Sequence, residues 1–233
     1  MSDQVRIFGC IPSPPDPRDL PLSAAFDRLG IEAAPPPPSF SRPHVGPLLN
    51  QGSTPQCVAY SSAGSQMWLD YTERGKWYSF DYAHHFRDIG GGSYGAYLRD
   101  SLVRRVNYGY PEKGLRANDA NHRLKMFVRV PVTRTALMQA IVLAPLLIGV
   151  RWNNAWMHTL PDGMLPEPKG GDPGRHALWV PSYVPRGIVP RNSWGAWGAQ
   201  TPTAPRGNGN CVLGWDYLDR VYDAWSIIDL PTK

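Results

Sequence analysis

Gln51-Gly52-Ser53-Thr54-Pro55-Gln56-Cys57-Val58-Ala59-Tyr60 is the stretch that decides the fold. A turn rich in Gly, Ser and Pro gives way at Cys57 to helical spacing. Tyr60, Ala63, Met67 and Tyr71 recur at intervals of three and four, and Gly75 follows Arg74 as a helix stop. The reading is a helix over 57–74 that begins with a cysteine, whose thiol lies at the positive end of the helix dipole, where thiolate is favoured. Far downstream come His176 and then Asn192-Ser193-Trp194. A thiol, an imidazole and an amide in that order are the parts of a nucleophile, its base and the group that orients the base. Gln51 stands six residues before Cys57 and adds a side-chain donor where a developing oxyanion needs one.

Working outward, the N-terminal 46 residues form a distinct region. Pro12, Pro14, Pro15, Pro17 and Pro21 are followed by Pro35-Pro36-Pro37-Pro38. This composition predicts an extended arm of polyproline-II character, with a short helix near Leu22–Leu29. Ile7, Phe8, Ile11, Leu20, Leu22, Phe26 and Leu29 are too apolar for a solvated tail, so the arm is expected to be strapped onto the body or onto a partner. Residues 47–233 form the body. After the helix at 57–74, a second is expected from about Tyr94 to Val106, with Leu98, Leu102 and Val106 on one face. A third, capped by Thr133 or Thr135, runs through Ile141. Strands follow at Leu146–Trp152, His176–Val184, Gly187–Arg191, Val212–Trp215 and Ala224–Asp229. The apolar run Ala140–Val150 contains Pro145 and reads as a helix end leading into a buried strand. A helical first half and a β-rich second half make an α+β arrangement.

The 233 residues carry a net charge of +5. The charge is spread out, Arg104-Arg105 reads as part of a solvated helix face, and no basic stripe interleaved with aromatics points to nucleic acid. No apolar run approaches the roughly 18 residues of a membrane span. Met1–Arg6 lacks an apolar signal core, so the expectation is a protein without a Sec signal, cytoplasmic or virion-associated. Cys10, Cys57 and Cys211 are odd in number and have no paired spacing, which argues against a disulfide framework. No cofactor is implied. No metal is implied either, because His84-His85 lacks a carboxylate or cysteine at ligand spacing and reads as a polar loop or helix end. His158 and Cys211 read as structural.

The stretch 51–60 resembles the active-site segment of the papain-like cysteine peptidases. Gly174-Arg175-His176-Ala177 resembles the histidine strand of that family, and Arg191-Asn192-Ser193-Trp194-Gly195-Ala196-Trp197-Gly198 its asparagine motif. His176 and Asn192 follow Cys57 at slightly less than, or within, the family's span of about 130–150 residues. The resemblance implies a two-lobed fold with the cleft between a helical and a β-rich half, and a thiolate–imidazolium pair of Cys57 and His176. Asn192 would hold the imidazole, Trp194 would shield that hydrogen bond, and Gln51 with the Cys57 backbone N–H would form the oxyanion hole. Gly91 and Gly92, within Gly90-Gly91-Gly92-Ser93, resemble the glycines that bind an extended substrate backbone, and Trp197 would line the leaving-group side. The partner implied is a peptide or protein substrate, a cell-wall peptide included. Thr54 stands where secreted relatives carry a disulfide cysteine. With Pro43–Gln51 and the closing stretch Asn210–Leu218, this places the resemblance nearer the bacterial and bacteriophage branch. Two departures are Arg175, a cation beside the histidine that disfavours imidazolium if it points inward, and Val58, in place of an aromatic.

A second reading is a structural or receptor-binding component of a phage particle on the same fold, with vestigial or single-use activity. The arm and nine tryptophans suit it, and virion subunits would be its partners. A cell-wall amidase of the cysteine–histidine class is a third, disfavoured because such enzymes usually lack the downstream Asn-Ser-Trp. The arm does not resemble the long helical inhibitory propeptide of secreted relatives.

Overall fold

A computed structural model describes residues 6–114, 120–198 and 208–229, so the first five residues of the arm lie outside the described part. The elements in order are β1 (Cys10–Ile11), α1 (Leu22–Leu29), β2 (Phe40–Ser41), α2 (Cys57–Arg74), α3 (Tyr82–Asp88), β3 (Ala96–Tyr97), α4 (Leu98–Tyr108), β4 (Met126–Arg129), α5 (Arg134–Leu143), β5 (Leu146–Trp152), β6 (Gly174–Val184), β7 (Gly187–Arg191), β8 (Leu213–Gly214) and β9 (Val221–Ile228). Most helix precedes most strand, and the fold is α+β.

The body is organised by an antiparallel sheet of order β4-β9-β5-β6-β7-β8, with β2 paired to β6 off that path. Side chains alternate across a strand, and here the alternation feeds two cores. Leu146, Ile148, Val150 and Trp152 of β5 pack with α1 and α5 through Leu22, Ala25, Leu137 and Ile141. Leu147, with Ala177 and Trp179 of β6 and Trp225 and Ile227 of β9, packs against α2 and α4 through Cys57, Val58, Ala59, Leu98 and Leu102. Covered on both faces, β6 is buried from His176 to Val184. The two lobes meet where α2 crosses β6. Gly64 lets them come close, since a Cβ there would press on the Trp179 indole at 2.7 Å.

Local chemistry accounts for the element ends. Gly75 caps α2 in the left-handed conformation at φ 65, and Thr133 caps α5 by accepting from the Ala136 N–H. Four sequence expectations change. The helix expected from Tyr94 starts at Leu98, because Ala96–Tyr97 pair with the arm as β3. The strand expected at Val212–Trp215 keeps only Leu213–Gly214 and turns into a 3-10 helix at Trp215. His84-His85 lies inside α3, which Asp81 caps, with His85 fully buried between Tyr110 and Ser101. Arg105 is buried rather than solvated, and donates to Gln66 Oε1 and Ser65 Oγ. Satisfying its donors in this way is what makes burying a guanidinium tolerable. Among the described residues, no helix is long and apolar enough to cross a membrane.

The arm follows the body closely. Phe40–Ser41 pair with β6, Tyr183 Oη donates to the Pro37 carbonyl at 2.8 Å, and Leu22 and Ala25 of α1 enter the sheet core. Asp19 lies 2.7 Å from Arg99, and the Ser13 N–H donates to Asp223 at 3.2 Å. From Cys10 backwards the arm enters the seam between the lobes.

Candidate active site

Two irregular segments hold the reactive groups side by side. The Gln51 N–H donates to the Ser193 carbonyl at 2.8 Å, the Gly195 N–H to the Leu49 carbonyl at 2.9 Å, and Ser193 Oγ to Gln51 Oε1 at 2.7 Å. The loop before α2 and the loop after β7 are thereby fixed to one another. Cys57 opens α2, and its thiol receives the N–H of Ala177, the residue after His176 on β6. His176 Nε2 and Asn192 Oδ1 are 2.8 Å apart, so Nε2 donates, and Nδ1 is left buried without a hydrogen-bond partner. Trp194 lies over the imidazole with ring centroids 4.8 Å apart, and Trp152 presents an edge to it at 5.2 Å. Cys57, His176, Asn192, Gln51 and Trp194 therefore converge. Trp197 packs on Trp194 at 5.5 Å and donates its indole N–H to the Met157 carbonyl.

Gly91 and Gly92 are placed differently from the expectation. The Gly91 N–H is taken by the Phe86 carbonyl, and Gly92 closes a tight turn with Gly95. The edge that meets an extended backbone is Gly95–Ala96. The Ala96 N–H donates to the Gly9 carbonyl at 3.0 Å, and Gly95, at φ 102, lies so close that a Cβ would run into that carbonyl.

The chain on that edge is the arm. Cys10–Ile11 run parallel to Ala96–Tyr97, and the Gly9 N–H reaches the Cys57 thiol. A Cβ on Gly9 would strike the Pro55 carbonyl. Phe8 sets its ring edge-on to His176 at 5.8 Å and to Trp194 at 6.0 Å. The Ile7 carbonyl accepts from Gln51 Nε2 at 3.3 Å, and the Arg6 guanidinium lies 5.0 Å over Trp194. Residues 6–11 thus thread the cleft, and both Cys57 and His176 are 0% exposed. Although its described residues lack the long helices of a propeptide, the arm covers Cys57 and His176. Residues read only as apolar arm, Ile7 and Phe8, and Trp152, read only as strand, belong to the site. For Ile7 and Phe8 the sole sequence signal is hydrophobicity out of place in a proline-rich tail.

Closure sets the charge state. Burial pushes the Cys57 thiol up to about 11, against backbone N–H bonds that lower it. Burial pulls His176 down to about 4; the Asn192 bond opposes this and the Arg6 charge adds to it. With the arm in place burial favours a neutral thiol and a neutral imidazole over the ion pair that the resemblance implies. The cation acting on His176 is Arg6. Arg175 is exposed on β6 and lies on the opposite face of the strand from His176. The sign of the pH dependence follows. Between about 6.5 and 4 the unfolded chain protonates this histidine and the closed chain does not, so stability falls as pH is lowered through that window. Melting temperatures across pH 7 to 4 should drop more steeply for the wild type than for His176→Gln. Parallel curves would remove His176 as the cause.

No protein-family model and no curated protein matches this sequence. Solved structures do. Xylellain, a cysteine protease from Xylella fastidiosa, is similar with a TM-score of 0.75 at 19% identity, over 96% of each chain. Procathepsin B S9 from Trypanosoma congolense gives 0.74 at 13% identity, over 97% of this chain and 87% of that one. The Carica candamarcensis cysteine protease CMS1MS2, solved in complex with E-64, gives 0.62 at 18% identity, over 84% of this chain and 100% of that one. With its helical lobe and its β lobe meeting at the N-terminus of α2 and the start of β6, the chain takes the papain-like cysteine protease fold.

Proposed function

We propose that the chain is a thiol peptidase that is latent while its arm lies in the cleft. The observation that carries this reading is the His176–Asn192 bond of 2.8 Å, which leaves Nδ1 buried and unpartnered on a strand that also binds the Cys57 thiol. Once residues 6–11 withdraw, water enters, the desolvation that keeps both groups neutral is relieved, and the proton can pass from Cys57 to His176 Nδ1. The thiolate attacks an amide carbonyl, and His176 returns the proton to the departing amine. Water then hydrolyses the thioester, with His176 as base. Asn192 keeps the ring plane, and Gln51 Nε2, which now donates to the Ile7 and Thr54 carbonyls, is the side-chain donor for the oxyanion. A peptide or protein is the substrate. Xylellain and CMS1MS2, both cysteine proteases of this fold, support the same chemistry.

A peptidyl epoxide tests the reading. It should modify Cys57 alone among Cys10, Cys57 and Cys211, all three of them buried and free. Mass spectrometry of the native full-length chain should find this single adduct forming over hours. Equal modification of the three cysteines, or none at Cys57 after the arm is displaced, would count decisively against an active site.

A further inference from the structure

The arm does not fill the cleft. Beside residues 6–11 a groove of about 750 Å³ stays open. Ser93 and Tyr94 form one wall, Tyr94 being 87% exposed, and Arg151 and the segment 172–175 form the other. The charges on this groove are unequal. Arg6, Arg151 and Arg175 face it together with a single carboxylate, Asp172. Asp172 is already engaged, by Arg220 at 2.6 Å and by the Asn153 amide at 3.0 Å. Arg151 donates to the Asp219 carbonyl at 2.7 Å and lies 3.8 Å from that residue's carboxylate. Arg175 has no carboxylate partner among the described residues.

The strand register sharpens the contrast. Arg151 of β5 lies directly opposite Arg175 of β6, and like charges so placed destabilise a sheet. Neither side chain is buried, so packing does not require an arginine at either position. Arg175 shares its face of the sheet with Ala177, whose N–H the Cys57 thiol receives, and it lines the groove together with Cys10, the arm residue paired with Ala96. Arm residues 6–11 include no acid. The arm therefore blocks the cleft while leaving Arg175 unsatisfied.

We propose that Arg175, backed by Arg151 across the strand pair, selects substrates that carry an acidic side chain in this groove, beside the place the arm gives to Cys10. Guanidinium matches carboxylate in a two-bond fork, which a neutral amide or a lysine cannot reproduce. Arg6 leaves with the arm, so the two β-lobe arginines alone read the substrate. The inference rests on the peptidase reading above, and the experiment separates the two.

Full-length protein and the arm-loosened Phe8→Ala variant are treated with three sets of peptidyl epoxides, identical except for Glu, Gln or Lys placed in turn at each of the first three residues from the electrophile. The rate of the Cys57 adduct is read by intact mass. At one position Glu should react roughly five- to tenfold faster than Gln, the size of a partly exposed charge-assisted contact, and faster still than Lys. The Glu/Gln ratio should fall to about one in Arg175→Gln, reverse in favour of Lys in Arg175→Glu, and shrink in high salt. Thermal melting of Arg175→Gln should match or exceed the wild type, since a like-charge pair is relieved. Equal rates for Glu and Gln at all three positions, or a Glu preference that survives Arg175→Gln, would overturn the acidic-substrate inference and leave the peptidase standing. A Cys57 that no probe of any charge modifies in either background overturns the peptidase reading, and this inference with it.

Discussion

On the proposed mechanism, Cys57→Ala should abolish hydrolysis, with turnover falling by about 10⁶-fold, the usual cost of removing a nucleophile whose partners act with it as one unit. The fold should survive. Cys57 is fully buried, but only one sulfur atom is lost from a contact with backbone N–H groups. A cost of about 1 kcal/mol would lower the melting temperature by roughly 2–4 °C in a chain of this size. Gln51→Ala should fall between, at about 10²–10³ in kcat with KM little changed, because an oxyanion exists mainly in the transition state. The measurement is kcat and KM on a peptide substrate, beside thermal melting, in the arm-loosened background. Unchanged kcat in Gln51→Ala would move the oxyanion donor elsewhere, and turnover in Cys57→Ala within about tenfold of the parent would end the thiol mechanism.

The second large effect concerns access. Phe8 is half-buried against His176 and Trp194. Truncating it to alanine should cost the docked arm about 2 kcal/mol of apolar burial, and so raise the open population about 30-fold. The rate of Cys57 modification should rise by the same factor. Gly9→Val should act more strongly, since no side chain fits between Gly9 and the Pro55 carbonyl and the residue cannot stay where it is. Hydrogen exchange at Ala96, whose N–H is held by the Gly9 carbonyl, should quicken in both variants. If neither variant changes the rate at Cys57, docking of residues 6–11 does not control the thiol.

Much of this was readable from the chain because local chemistry wrote it there. Helix α2 was legible to the residue, since Cys57 follows a turn and Gly75 is a left-handed cap. β5 and β7 were legible because short apolar runs between turn residues have few alternatives. The order Cys57, His176, Asn192 singled out three residues distant in sequence, and the fold sets them near one another. What stayed hidden depends on pairing over long distances. β1 and β3 are two residues each, and nothing in Cys10–Ile11 or Ala96–Tyr97 announces that they join across the cleft. The glycine-rich loop drew attention to Gly91 and Gly92, yet the working edge is Gly95–Ala96, because Gly91 is drawn onto Phe86. The charge of Arg105 concealed a core position, since its partners Ser65 and Gln66 lie on another helix. The apolar residues of the arm call for docking somewhere; that it docks on Cys57 follows from the fit of Gly9, which only the folded cleft reveals.

The aromatic cage has a use of its own. Trp152, Trp194 and Trp197 are mutual neighbours within 5.9 Å, with His176 against two of them and Phe8 and Arg6 laid on Trp194. Indole emission depends on the polarity and the charges around the ring. Departure of the arm would strip a cation and a phenyl ring from Trp194 and admit solvent, shifting the emission spectrum to longer wavelength. The protein thus carries its own optical gauge of cleft opening, readable in real time without a label, a substrate or turnover.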